Sequence, residues 1–335
     1  MSTSSLENQV SELYEEILLR KPDKTGLYFF VTKLKQSELT LDDIRNMLLN
    51  SDEGKNIHGF SHYSDEYWND LPRVKQYKNE LSTGNKDVHW VNDILTRFKQ
   101  FVPFQNVLIV GCGNGWLERQ LYDTKIGLQF DAFDISEKYL EEAKKLANNR
   151  PINYFKEDIN EMSNIKENVY DAIFNFAILH HTEKIDFAMK QLSKALKPDG
   201  IMFNEEYIGP AQNQYSDTHL KQMLEVMSDL PEKYRSPHQL RPNIENFRVE
   251  PTEAIHSDLV KSSFEKYFET IYEKNMNGGI AYMILWNNIK KFQDPNSEES
   301  VKWLEYLLKC DREFSEEGKV PILFWYGVGK SRIKN

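Results

Sequence analysis

Residues 107–115 read Val-Leu-Ile-Val-Gly-Cys-Gly-Asn-Gly. An apolar run long enough for one buried strand stops on three alternating glycines, and an amphipathic stretch, 116–122, follows at once. A strand that ends on such a turn and feeds a helix brings backbone close to a ligand. Gly111 and Gly113 carry no Cβ to block that approach, and they admit positive φ. The helix behind the turn presents unpaired N–H groups at its start. What is missing narrows the ligand. A dinucleotide fingerprint, G-x-G-x-x-G, uses its third glycine for close helix–strand packing. Trp116 holds that position here, and the glycine falls one residue earlier, at Gly115. A triphosphate loop would close on Gly-Lys-Ser/Thr, and Leu117-Glu118-Arg119 does not. The turn therefore reads as nucleoside-binding, without pyrophosphate or triphosphate equipment.

Further stations follow in order. Residues 130–136 read as a second strand ending on Asp134, close to the ~20 residues past the glycines expected of a carboxylate that holds ribose hydroxyls. Ser136 suits a helix N-cap, and Tyr139, Leu140, Ala143, Leu146 and Ala147 recur at helical spacing. Residues 152–155 make a third strand with Glu157-Asp158-Ile159 at its end, and 170–176 a fourth that carries Asn175. Ile185, Ala188, Met189, Leu192 and Leu196 mark a helix that stops at Leu196-Lys197-Pro198-Asp199-Gly200. A fifth strand from 201 leads into Asn204-Glu205-Glu206-Tyr207. Alternating strands and helices predict a parallel sheet covered on both faces. Ligands of such sheets bind beyond the carboxyl ends of the strands, where the glycine turn, Asp134, Asp158, Asn175 and Glu206 all fall.

These motifs, taken in order over about residues 85–208, resemble a class I S-adenosylmethionine-dependent methyltransferase. The resemblance implies a doubly wound, mostly parallel, seven-stranded Rossmann-like α/β sheet and S-adenosyl-L-methionine as cofactor. It implies that Asp134 binds both ribose hydroxyls, that Asp158 meets the adenine amino group, and that Ile135 and Ile159 cover the adenine faces. Gly111, Cys112, Gly113, Asn114 and Gly115 would lie against the methionine part, with Asn175 on the same rim. Cys112 needs only a small side chain there. A narrower resemblance rests on Gly113-Asn114-Gly115 with Leu117-Glu118-Arg119, on His180-His181, and on Glu206-Tyr207-Ile208-Gly209-Pro210 followed by Gln212 or Gln214. These are similar to methyltransferases that travel with polysaccharide biosynthesis.

Residues 1–57 predict a small α-helical module of three amphipathic helices: Val10, Leu13, Tyr14, Ile17 and Leu18; then Leu27, Phe30, Val31 and Leu34; then Leu41, Ile44, Met47 and Leu48, opened by Thr40 and Asp43 as a capping-box variant. The pattern around Leu18-Leu19-Arg20-Lys21-Pro22-Asp23 and Leu49-x-Ser51-x-Glu53 resembles a helical module of unknown function found in glycan-related proteins. That implies a context, with protein contact or a plain spacer role both open. Residues 58–90, with Tyr63, Tyr67, Trp68, Tyr77 and Trp90, predict a linker that roofs the pocket or packs on the sheet. Residues 91–208 are the predicted cofactor core, and 209–335 the acceptor side and the rest of the sheet. Within that last stretch, 220–227 suits a helix and 232–250 a loop or lid. Residues 260–271 have helical periodicity, although 268–272 could open a sixth strand. Residues 280–289 suit a buried helix, and 321–328 a strand antiparallel to the sixth.

Composition bounds the partners. A net charge of −10 with no basic stripe argues against a nucleic-acid acceptor. The fourth strand also lacks the Asn/Asp-Pro-Pro-aromatic turn tied to methylation of base amino groups, because Asn175 precedes Phe176-Ala177. No run of about 18 apolar residues predicts a membrane span. The N-terminus shows no basic-plus-apolar signal, so the default is cytoplasmic. Two cysteines, Cys112 and Cys310, make no disulfide or zinc framework, and His180-His181 alone has no recognisable metal-ligand spacing, so no metal site is expected. Methyl transfer from a sulfonium needs in-line placement of the acceptor near ~3–3.5 Å, and a base where the acceptor is a hydroxyl. His180, His181 and Glu206 are the candidates for that work, against structural roles in the turn. The leading expectation is a methyltransferase acting on a small or carbohydrate-like acceptor, at oxygen. The alternatives are a catalytically inactive cofactor-binding assembly protein and an NAD-dependent enzyme, against which Trp116 counts.

Overall fold

The computed structural model describes residues 3–18, 20–51, 67–244, 251–286 and 288–333. Leu19, Glu53, Tyr63 and the 245–250 part of the expected lid lie outside the described residues. At the front, α1 (Thr3–Leu18), α2 (Lys24–Lys35) and α3 (Leu41–Asn50) follow the three predicted stripes. Their own core contains Val10, Leu13, Ile17, Phe30, Val31, Ile44 and Leu48. Local chemistry sets the helix starts. Asp23 accepts the N–H groups of Thr25 and Gly26 at 3.0 and 2.9 Å. Thr40 and Asp43 close a reciprocal capping box.

From residue 67 on, the stretch expected to be a linker folds as helices belonging to the main core. After a 3-10 turn at Trp68–Asp70 come α4 (Pro72–Thr83) and α5 (Trp90–Arg97). Then follow β1 (Phe104–Val110), α6 (Trp116–Asp123), β2 (Gly127–Asp134), α7 (Glu137–Leu146), β3 (Ile152–Lys156), β4 (Tyr170–Phe176), α8 (Ile185–Ala195) and β5 (Leu196–Tyr207). The second half adds α9 (Asp217–Ser228), α10 (Val260–Tyr267), β6 (Phe268–Asn275), α11 (Ala281–Leu285), α12 (Glu298–Glu316) and β7 (Phe324–Ser331). The strands form one sheet in the order β3-β2-β1-β4-β5-β7-β6. The first five are parallel, and β7 runs antiparallel to both β5 and β6. This is the expected doubly wound, mostly parallel seven-stranded α/β sheet.

Both faces of the sheet are covered, which is why β1 reads as a continuous apolar run. Val107 and Ile109 face a cluster with Trp90, Leu117, Phe174 and Phe203. Leu108 and Val110 face the other, with Met189, Leu192, Phe264 and Trp325. Three expectations shift. The Leu196–Gly200 stop is an irregular opening of β5: Leu196 pairs with Tyr170, and regular pairing resumes at Ile201 opposite Ala172. The 260–271 ambiguity resolves as helix followed by strand, changing at Phe268. The expected 280–289 helix is the five-residue α11, followed by a separate 3-10 turn at Ile289–Phe292. No helix among the described residues is long and apolar enough to cross a membrane.

Candidate functional site

At the carboxyl end of β1 the chain turns through Gly111, Gly113 and Gly115 at φ of +59°, +52° and +79°. A Cβ on Gly111 would meet the Ile178 side chain at 2.5 Å, whereas one on Gly113 would stand in open space. The first glycine thus lets β4's exit loop pack close, and the second leaves backbone facing a clearing. Gly115 is the N-cap of α6. Asn114 lends its carbonyl to the Arg119 guanidinium at 2.6 Å. Cys112 is buried, and burial pushes its thiol well above the ordinary range, which keeps it protonated.

Asp134 ends β2 beside this turn. One carboxylate oxygen accepts the Gly113 N–H at 2.9 Å, and the other accepts the Ser136 N–H at 2.8 Å. Both oxygens keep lone pairs for further donors. Ile135, next to it, is 62% exposed although apolar. Across the rim, Glu157 turns inward and accepts the Asn164 N–H at 2.7 Å, while Asp158 is half-buried and Ile159, also half-buried, packs against the cluster of Leu108, Val110 and Phe133. A clearing over Gly113, a fixed carboxylate and an exposed apolar side chain suit a ribose-bearing ligand with an aromatic base.

Asn175 sits near the carboxyl end of β4. It is fully buried, and its amide donates to Asn204 and to Glu206. Asn175 stands opposite Asn204 in the β4–β5 pairing, so the two side chains lie on one face of the sheet, where Asn175 also holds Glu206. Glu206 is fully enclosed too. It accepts N–H groups from Leu179 at 2.7 Å and Tyr207 at 2.8 Å, and it binds His180 Nδ1. Burial raises its carboxyl, but the His180 ring, the Asn175 amide and the Tyr207 N–H outweigh burial and hold it below the ordinary carboxylate range. Glu206 and His180 thus form a buried, hydrogen-bonded pair at the Leu179–His181 turn. Glu205, its neighbour, is also buried, on the opposite face, and pairs with Lys78 of α4 at 2.6 Å. Alternation does separate the two carboxylates, but both sheet faces are covered.

His181 is the more accessible of the two histidines, and its Nε2 lies 3.7 Å from Glu253. Glu253 sits in a turn tied to the extension of β5: Gln212 N–H donates to the Ala254 carbonyl at 2.7 Å, and the Ser257 hydroxyl donates to the Gly209 carbonyl at 2.9 Å. His180, His181 and Glu253 each bring a ligand-type atom within 4.8 Å of the others. Sequence spacing gave no sign of this group, since Glu253 lies far along the chain in a polar stretch. Around it, burial raises the phenols of Tyr67, Tyr207, Tyr215 and Tyr282, and the Glu253 charge raises each of them further. All four stay neutral hydrogen-bonding groups. Ile178, against Gly111, precedes the histidine turn, so this cluster adjoins the glycine turn. Two surface depressions lie elsewhere, one along α9 at Leu220 and Leu224 and one at the amino ends of β1 to β3 at Asn106 and Asn153. Parallel sheets do not bind ligands at their amino ends, and neither depression touches the turn.

Residues 108–204 match the family model of a methyltransferase domain. Among curated proteins, the ubiquinone biosynthesis O-methyltransferase of Pelagibacter ubique is 31% identical over 161 residues, 46% of this chain and 65% of that protein. The malonyl-[acyl-carrier protein] O-methyltransferase of Halalkalibacterium halodurans is 32% identical over 99 residues, 29% of this chain and 36% of its own. The chain thus spans less than two thirds of the length of these relatives. Among solved structures, a putative sarcosine dimethylglycine methyltransferase from Galdieria sulphuraria shares 14% identity over 72% of this chain and 84% of that one, with a TM-score of 0.45. Residues 108–204 therefore carry a methyltransferase domain, and S-adenosylmethionine is the cofactor that this domain implies.

Proposed function

We propose that this chain is an enzyme that transfers a methyl group from S-adenosylmethionine to a hydroxyl oxygen of a small or carbohydrate-like acceptor, in the cytoplasm. One observation carries the reading: within a methyltransferase domain, Asp134 is fixed by Gly113 N–H and Ser136 N–H beside an open glycine turn. The cofactor supplies an activated methyl on a sulfonium. Asp134 holds the ribose hydroxyls, Ile135 and Ile159 cover the base, Asp158 meets its amino group, and 111–115 face the methionine part. Both named curated relatives are O-methyltransferases, which supports oxygen as the target. The acceptor enters beside His181 and Glu253, with His180 and Glu206 keeping that turn in place. A polysaccharide setting fits the narrower resemblance around His180-His181 and Glu206. The exposed Tyr28 and Phe29 of α2 support protein contact through the front module.

Calorimetry tests the cofactor reading. S-adenosylmethionine and S-adenosylhomocysteine should each bind one per chain, and NAD should not. Absence of binding by both, with folded protein, would overturn the transferase. A screen of hydroxylated small molecules and sugars for methylated product then identifies the acceptor.

A further inference from the structure

We propose that Trp116 and Phe176 form an aromatic platform that holds the positively charged sulfonium of S-adenosylmethionine and so separates the methyl donor from its neutral product. Donor and product differ by one methyl group and one positive charge. An aromatic face attracts a cation through its quadrupole, tryptophan most strongly. The inference rests on reading 111–115 as the seat of the methionine part. Topology places the platform there. The strand order β3-β2-β1-β4-β5 reverses direction between β1 and β4, and ligands of such sheets lie in the crevice at that reversal. Trp116 is the first residue of α6, directly after the glycine turn that ends β1, and Phe176 is the last residue of β4. The pair therefore draws one ring from each strand that flanks the crevice. The ring centroids stand 5.2 Å apart with 83° between planes, edge against face. Trp90 of α5, itself buried, lies nearly parallel to Phe176 at 6.4 Å and steadies that ring. Trp116 is 37% exposed, whereas Trp68, Trp90 and Trp325 are fully buried. Among the described residues no lysine or arginine stands over the Trp116 or Phe176 ring. Lys78 is neutralised by Glu205, the residue opposite Phe176 in the β4–β5 register. The platform is thus open to a cation from outside the chain.

The test is calorimetry on the full chain with S-adenosylmethionine and, separately, S-adenosylhomocysteine. It compares wild type with Trp116→Leu, Phe176→Leu and Trp116→Phe, each checked for fold by circular dichroism. Leucine keeps an apolar surface against the methyl group but has no π-face, whereas phenylalanine retains one. Contacts of this kind are worth about two- to fivefold in affinity at exposed sites, and more where water is excluded. Trp116→Leu should therefore weaken the donor about threefold or more relative to the product. Phe176→Leu should shift the ratio in the same direction, and Trp116→Phe should restore part of the preference. Trp116 lies at the surface, so its replacement leaves the packed core intact and its result is decisive even where Phe176→Leu does not fold. A Trp116→Leu protein whose two affinities fall by the same factor, or do not change, would overturn the platform and leave the cofactor reading in place. A Trp116→Phe protein that behaves as Trp116→Leu would assign the effect to bulk and overturn the platform too. Wild-type protein that binds neither compound would sink the cofactor reading itself, and the platform with it.

Discussion

Asp134 is oriented before any ligand arrives, because the Gly113 and Ser136 N–H groups fix its two oxygens. Hydrogen bonds to a charged group contribute about 1.5–3 kcal/mol each. Asp134→Ala should therefore weaken S-adenosylhomocysteine binding by about a hundredfold or more in calorimetry, with the fold retained by circular dichroism. Near-native affinity would contradict the ribose assignment. Glu118 gives a different kind of prediction. It is fully buried beside the Tyr154 hydroxyl, and burial outweighs that contact and pushes its carboxyl up to about 7. The folded protein thus keeps a proton that the unfolded chain gives up near the ordinary 4.5. The stability this contributes is fully present below the unfolded value and is lost as pH rises through about 7. That interval corresponds to about 3 kcal/mol. Glutamine mimics the protonated form, so Glu118→Gln should match wild type in melting temperature at about pH 4 and exceed it by several degrees at about pH 8. Parallel behaviour at the two pH values would refute the account.

Among the elements, Asp311 of α12 joins parts of the chain far apart in sequence. It accepts N–H groups from Gly278, Ile280 and Ala281 at 3.0, 2.8 and 3.0 Å and the Tyr77 hydroxyl of α4 at 2.8 Å. Burial raises its carboxyl, while those donors oppose the rise. Asp311→Ala would strand four buried donors, at about 1–3 kcal/mol for each one left unsatisfied. Urea unfolding should show a loss of at least about 3 kcal/mol, and a loss below about 1 kcal/mol would show that the knot is dispensable. Sequence did not disclose this helix. Its buried face, with Leu304, Leu307 and Leu308, is interrupted by charges such as Glu305 and Asp311, and one of those charges is the buried one. β1 was legible because a doubly covered parallel sheet favours an apolar run there, and β2 to β5 followed from the glycine turn and the order of motifs after it. The enclosure of Asn175 and Glu206 was not legible, because position at a strand end is local, whereas enclosure depends on which strand stands opposite. Glu253 was invisible for the same reason: only tertiary folding brings it to His181.

At the scale of the molecule, the front module and the sheet have separate apolar cores. A variant lacking residues 1–57 should bind S-adenosylhomocysteine within about twofold of the full chain. A collapse of affinity would show that α1 to α3 belong to the cofactor unit. The overall charge of −10 agrees with a small acceptor, since clustered cations are what hold a nucleic-acid backbone. Strand order carries a consequence for biogenesis. β7 follows β6 in the chain yet lies between β6 and β5. While a ribosome is still extending the polypeptide, β5 has a bare margin and β6 has nothing to pair with. Unpaired margins of that kind are adhesive. The nascent protein stays vulnerable to wrong pairing until β7 has left the exit tunnel and slotted into the gap.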